Sequence, residues 1–162
     1  MSGERPVERL AFGCVGEPGS RVFYLQADDG GVTYSYVLEK GQVAVLSVQV
    51  LRLLHDLGVD VAEVTLDAAP VAEPESVEFR IADIELDFDE TTGLGRLVLI
   101  PTAGAAAPAV LRATAGQLAT AARMGAEAVA SGRPLCPRCG LAMDPEGHPC
   151  PVGNGDLRHH RS

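Results

Sequence analysis

Hydrophobic and polar residues alternate with two different periods along this chain, and the switches between periods mark its elements. Three short extended runs come first, LAFGCVG, RVFYLQA and VTYSYVL, set apart by the turn signals EPGS and DDGG and followed by EKG. They predict a three-stranded antiparallel meander over residues 10–38. In RVFYLQA, Phe23, Leu25 and Ala27 alternate with Val22, Tyr24 and Gln26, so one face is the more apolar. The period then becomes helical in QVAVLSVQVLRLLHDLG. Val43, Leu46, Val50, Leu53 and Leu57 share one face there, and Gly58 follows as the C′ residue. Val48, Leu51 and Leu54 widen that face, leaving Gln42, Gln49, Arg52 and Asp56 as a narrow polar stripe on which Val45 also lies. A face this wide is either covered on two sides within the molecule or meets a second copy of the chain, giving a homodimer through helix 42–57.

Residues 59–76, with AAPVAEPE, have the Pro, Ala and acidic content of a linker. The earlier order then returns. VEFRIADIELDFD, RLVLIPT and AVLRAT read as strands separated by TTGLG and TAGAAAP, and GQLATAARMGAEAVASG as a helix ending at Gly132. Thr114 and Gln117 have capping-box spacing at its start. Both halves therefore run strand–strand–strand–helix, and their helices open with GQVA and GQLA, at Gly41 and Gly116. That likeness is either an internal duplication or a coincidence within a common order. The expected fold class is α+β, with two such halves built on antiparallel sheet over residues 1–132 and a short zinc-knuckle tail over residues 133–162.

Composition narrows the options. A chain of 162 residues buries a sizeable core without help from disulfides or metal. Its net charge of −9 opposes broad attraction to nucleic acid or anionic membrane. No run of apolar residues is long enough to span a bilayer. MSGERPVER lacks the apolar stretch of a signal peptide, so a cytoplasmic location is expected. In that compartment, three of the four cysteines clustered near the end read as metal ligands rather than disulfides.

The cluster is CPRCGLAMDPEGHPCP, residues 136–151. Cys136 and Cys139 have knuckle spacing, and Gly140 permits a turn that exposes backbone amides to thiolate. Asp144-Pro145-Glu146-Gly147 has the residue order of a type I turn, which swings His148 and Cys150 back toward the first pair. Three thiolates and one imidazole make a soft tetrahedral set suited to Zn²⁺, and with all four positions filled by protein the metal is structural. Free thiols or a redox pair are the competing reading.

Elsewhere the candidates are weaker. Asp83, Glu85, Asp87 and Asp89 fall on one face of a strand and Ile84, Leu86 and Phe88 on the other. That row is either a cation or docking site or a solvated face that discourages aggregation. Cys14 has no histidine near it in sequence and reads as a small buried thiol. His55, at the end of the first helix, suits the helix dipole. Lys40, the only lysine, stands just before the first helix, where it is either a solvated turn residue or a contact for an anion at the helix N-terminus.

The segments FGCVGEPGSRVFYLQA, VLEKGQVAVL, FRIADIELDFD and ASGRPLCPRCGLAMDPEGHPCP together resemble the actinobacterial domain of unknown function 3090 family. The resemblance implies a small cytosolic protein with a short metal-binding tail. It also implies gene neighbours that resemble a histidine phosphatase and a phosphoinositide kinase. The chain departs from the family pattern at Cys14, where Thr is usual, in TAGAAAPAV, which replaces an acidic loop, and at Val152, which stands in a basic place. SVQV in the first helix replaces charged residues.

These observations lead to the expectation of a non-catalytic, zinc-stabilised adaptor or regulatory module with an unknown protein partner. An enzyme acting on a small phosphorylated molecule is the alternative. Its site would draw on Arg21, Glu39 and Lys40, and a pocket lined by them would favour it. Nucleic-acid binding through Arg133, Arg138, Arg158, Arg161 and the three histidines of the tail is a third reading, opposed by the net charge and by the lack of an aromatic there for base stacking.

Overall fold

The computed structural model describes residues 5–17, 19–61, 69–104 and 106–130. Strands β1 (Arg9–Val15), β2 (Val22–Asp29) and β3 (Val32–Leu38) lead into helix α1 (Lys40–Asp56). Strands β4 (Phe79–Asp89), β5 (Leu94–Pro101) and β6 (Ala109–Thr114) lead into helix α2 (Ala115–Ala130). The six strands form one sheet in sequence order. Neighbours pair antiparallel except β3 and β4, which run parallel where Tyr36 meets Phe79 and Val37 meets Arg80. The sheet is therefore mixed, not wholly antiparallel as the strand pattern suggested. The cause is the connection: α1 carries the chain back across the sheet, and a strand entered after such a crossover runs in the same direction as the one left.

Each half ends in the same glutamine latch. Gln42 accepts the Glu39 N–H through Oε1 at 2.7 Å and donates from Nε2 to the Ile81 carbonyl at 3.1 Å. Gln117 accepts the Thr114 N–H at 2.9 Å and donates to the Val7 carbonyl at 2.6 Å. The Gln117 N–H donates to Thr114 Oγ1 at 3.1 Å, which closes the capping box expected there. In both halves the glutamine that starts the helix thus grips the first strand of the other half, or the residue leading into it. Val7 also donates its N–H to the Arg112 carbonyl at 2.7 Å, so β6 meets the segment that opens β1. α1 stops where expected, with Gly58 at φ 81 beyond the cap residue Leu57.

The core lies between one face of the sheet and the two helices. Leu10, Phe12, Leu25, Leu97 and Leu99 come from the sheet, and Val43, Leu46, Val50, Leu54 and Leu118 from the helices, all shut off from solvent. The centre of the wide face of α1 (Val43, Leu46, Val50 and Leu54) is buried in the core and Ser47 on its flank meets α2 at Gly125, while Val48, Leu51, Leu53 and Leu57 are half-buried. Val45 stays 56% exposed, in keeping with its place on the polar stripe. α2 buries mainly small residues, among them Ala119, Ala122, Gly125 and Ala126, which lets it lie close along β1. Its closest approach to both α1 and β1 is at Gly125. A Cβ there would stand 2.7 Å from Ser47 Oγ and 3.1 Å from Phe12 Cβ.

The opposite face of the first meander is also covered, by chain that its composition marks as linker. Val59 and Val61, which begin that chain, pack instead against the core on the helix side, where Arg123 of α2 donates to the Val61 carbonyl at 3.2 Å. Residues 69–76 cross the sheet as a strap, with Val71 seated on Gly13, where a Cβ would come within 3.1 Å. Gln26 holds the strap as a peptide group would: Nε2 donates to the Ala72 carbonyl at 2.7 Å and Oε1 accepts the Ala72 N–H at 3.1 Å. Arg9 donates to the Ala69 carbonyl at 3.0 Å and pairs with Asp28 at 2.9 Å. Burial alone would raise the Asp28 pKa, but hydrogen bonds from Arg9 and Thr33 and the Arg9 charge more than offset it and hold the carboxyl below 3.8. The strap buries Tyr24, Gln26 and Ser35, so β2 has no solvent-facing side over most of its length.

Two outcomes follow from this packing. Gly125→Ala should cost about 1–3 kcal/mol in urea unfolding through overpacking, and Ser47→Ala should restore part of that loss by removing the nearest clashing atom. Ser47 Oγ is buried with no hydrogen-bond partner, so Ser47→Ala alone should not destabilise. The second concerns Tyr36, buried edge-on against Phe79 with ring centroids 5.0 Å apart. Burial, with smaller contributions from Glu78 and Tyr34, pushes its pKa from 10.0 up to about 12. The unfolded chain ionises this phenol first, so the folded state loses stability as pH rises from about 10 to about 12 and is unaffected by this group below that window. Denaturant midpoints measured across that range should fall less steeply in Tyr36→Phe.

Candidate functional site

Three chain segments that are distant in sequence meet at the head of α1: the start of β2, the end of β3 with the helix N-terminus, and the start of β4. Between them lies an open cleft of about 540 Å³, lined by Arg21, Glu39, Lys40 and Arg80 together with Val22, Phe23, Val37 and Leu38. Arg80 donates to Glu39 Oε2 at 2.7 Å across an exposed rim. Its presence depends on the parallel junction, since pairing with Val37 is what sets Arg80 beside the helix. No acidic residue follows the N-cap in the first turn of α1, but the N-cap itself is Glu39, whose capping-box carboxylate offsets part of the positive potential of the backbone N–H groups there.

The resulting electrostatics oppose those of the molecule as a whole. Three cationic side chains and one carboxylate line the cleft, in a chain whose net charge is −9. Guanidinium and ammonium groups donate hydrogen bonds and carry no acceptor atoms of their own, which suits a phosphate, sulfate or carboxylate group. Arg21, Glu39 and Lys40, the groups that the sequence offers for an enzyme site, line this open cleft together. Arg80 was missed. No local pattern marks it, because only the crossover through α1 brings β4 beside β3.

Glu39 also faces a second concavity on the other side of the helix start. This groove of about 460 Å³ runs between α1 and β4 and is lined by Gln42, Val45, Leu46, Gln49, Ala82 and Ile84, with Glu39 and Asp83 at its ends. Beyond it the acidic residues of β4 sit as the alternation predicts. Asp83, Glu85, Asp87 and Asp89 are exposed, while Ile84, Leu86 and Phe88 are half-buried on the other face. Asp87 lies 3.9 Å from Arg96, and Asp83 Oδ1 accepts the Ile84 N–H at 2.8 Å. Among the described residues no group of three or more His, Cys, Asp or Glu is placed to hold a metal.

The remaining candidates do not join either concavity. Cys14 is half-buried in β1 and packs against the core, and His55 is exposed in the last turn of α1. Cys136, Cys139, His148 and Cys150 lie outside the described residues. No helix among the described residues is long and apolar enough to cross a membrane.

The fold and cleft define a class: a small α+β protein with a mixed six-stranded sheet and a basic cleft at a helix N-terminus. A family model described as Protein of unknown function (DUF3090) matches residues 4–150, and the chain belongs to that family. The match covers both halves of the sheet and extends through Cys136, Cys139, His148 and Cys150. Comparison with curated proteins and with solved structures found no match.

Proposed function

We propose that this protein is a non-catalytic regulatory module that holds a small phosphate-bearing molecule in the cleft at the head of α1. One observation carries the reading: Arg21, Lys40 and Arg80 converge there against the single carboxylate of Glu39. Such an arrangement concentrates oxyanion donors on an otherwise acidic surface. A catalytic role for the same cleft is the second reading, and among the described residues that line it Glu39 is the only carboxylate that could serve. Its engagement by Arg80 at 2.7 Å favours binding over turnover.

Calorimetric titration of the full-length protein with inorganic pyrophosphate tests this directly. Binding is expected, and Arg21→Ala or Lys40→Ala should each weaken it roughly tenfold or more, the scale of one charge-assisted hydrogen bond. Absence of binding, or equal affinity in all variants, would reject the reading. Release of inorganic phosphate from an added phosphate ester, lost in Glu39→Gln, would select the enzyme instead.

The tail belongs to the same proposal as a structural zinc module held by Cys136, Cys139, His148 and Cys150. The donor set supports it: three thiolates and an imidazole complete a tetrahedral shell and leave no position for substrate. Purified protein should contain one zinc per chain by atomic emission, and Cys139→Ser should lose it. Removing the metal is expected to change amide exchange in residues 133–155 and leave the urea unfolding of the sheet unaltered, because a domain of this size closes its core without a metal.

A further inference from the structure

The repeat between the two halves is broken along one edge of β4. This strand has eleven residues, yet it pairs with β3 only at Phe79 and Arg80. Its other side is taken by β5 as far as Asp89. From Ala82 to Asp89, then, one edge has no strand partner among the described residues. Gln42 occupies the carbonyls of Ile81 and Ala82, and the Asp83 carboxylate takes the Ile84 N–H. An antiparallel ladder turns alternate residues outward, so Leu86 and Phe88 direct their N–H and C=O groups along the same open edge as Ile84.

The two faces beside this edge differ in chemistry. One is the exposed row Asp83, Glu85, Asp87 and Asp89. On the other, Ile84, Leu86 and Phe88 are half-buried, and Ile84 lies in the groove shared with Val45, which is itself 56% exposed. In the other half α2 lies close along β1 because its buried residues are small. α1 carries Val43, Leu46 and Val50 instead, stands further from the sheet, and leaves the groove.

We propose that this edge docks an extended segment of a partner protein in which basic and apolar residues alternate. The segment adds as a strand beside β4. Its apolar side chains enter the groove near Val45 and Ile84, and its Lys or Arg side chains face the acidic row. A second copy of this chain is a poor occupant, since pairing two such edges would set one carboxylate row against another. Charge selects the partner and the open backbone supplies the attachment.

The test uses the full-length, isotope-labelled protein and three synthetic peptides: alternating Lys and Val, alternating Glu and Val, and the Lys/Val peptide N-methylated at every second residue. The Lys/Val peptide should shift and slow the exchange of the Ile84, Leu86 and Phe88 amides. The other two should bind at least about tenfold more weakly, the first for lack of charge and the second for lack of backbone donors. Val45→Asp, a substitution at an exposed position, should weaken the Lys/Val peptide while leaving the unfolding midpoint in place. Equal binding of the N-methylated peptide would reduce the contact to diffuse charge attraction and overturn the proposal. So would protection mapped elsewhere, or self-association of the free chain through this edge.

Discussion

The rest of this structure depends on two glutamine side chains. Gln42 and Gln117 each close the start of a helix and in the same step bond a backbone carbonyl where the opposite half begins. A primary amide can do both because it carries a donor and an acceptor at fixed separation. The two latches fix where α1 and α2 start relative to the sheet, and with that the depth of the cleft, the opening of the groove and the seam where Val7 meets Arg112. Gln26 uses the same chemistry a third time, standing in for a missing strand so that residues 69–76 can close the far face of the first meander.

Between these polar joints, side-chain size decides how the layers sit. Small residues on α2 allow close approach to β1, and Gly125 is the point where α2, α1 and β1 crowd together. Larger residues on α1 keep it away from β4. One helix seals its strand and the other leaves a gap, so two halves with the same element order present different surfaces. The basic cleft and the acidic, half-apolar edge are neighbours, with Glu39 bordering both and tied to Arg80 between them.

The two proposed binding sites divide along the same lines. The cleft gathers cations on an acidic protein and suits a small oxyanion. The β4 edge gathers carboxylates beside apolar side chains and suits a basic, extended chain. Both are open to solvent, and buried core residues form part of their floors, Phe23 and Leu38 in the cleft and Leu46 in the groove.

Periodicity alone determined the elements of this protein. The six strands, both helices, the Gly58 stop, the Thr114–Gln117 box and the two faces of β4 all follow from local spacing, because each rests on residues only a few positions apart. The cation and carboxylate at the head of α1 were legible for the same reason: Glu39 and Lys40 flank the helix start. Tertiary structure alone decided the parallel junction of β3 with β4, since strand direction is set by where a crossover returns and not by the strand's own residues. It also decided that Arg80 joins Arg21 and Lys40, and that a Pro- and Ala-rich segment becomes a strap. Composition marks residues 69–76 as linker, and only the buried amide of Gln26, a long way off in sequence, gives their backbone a place to bind.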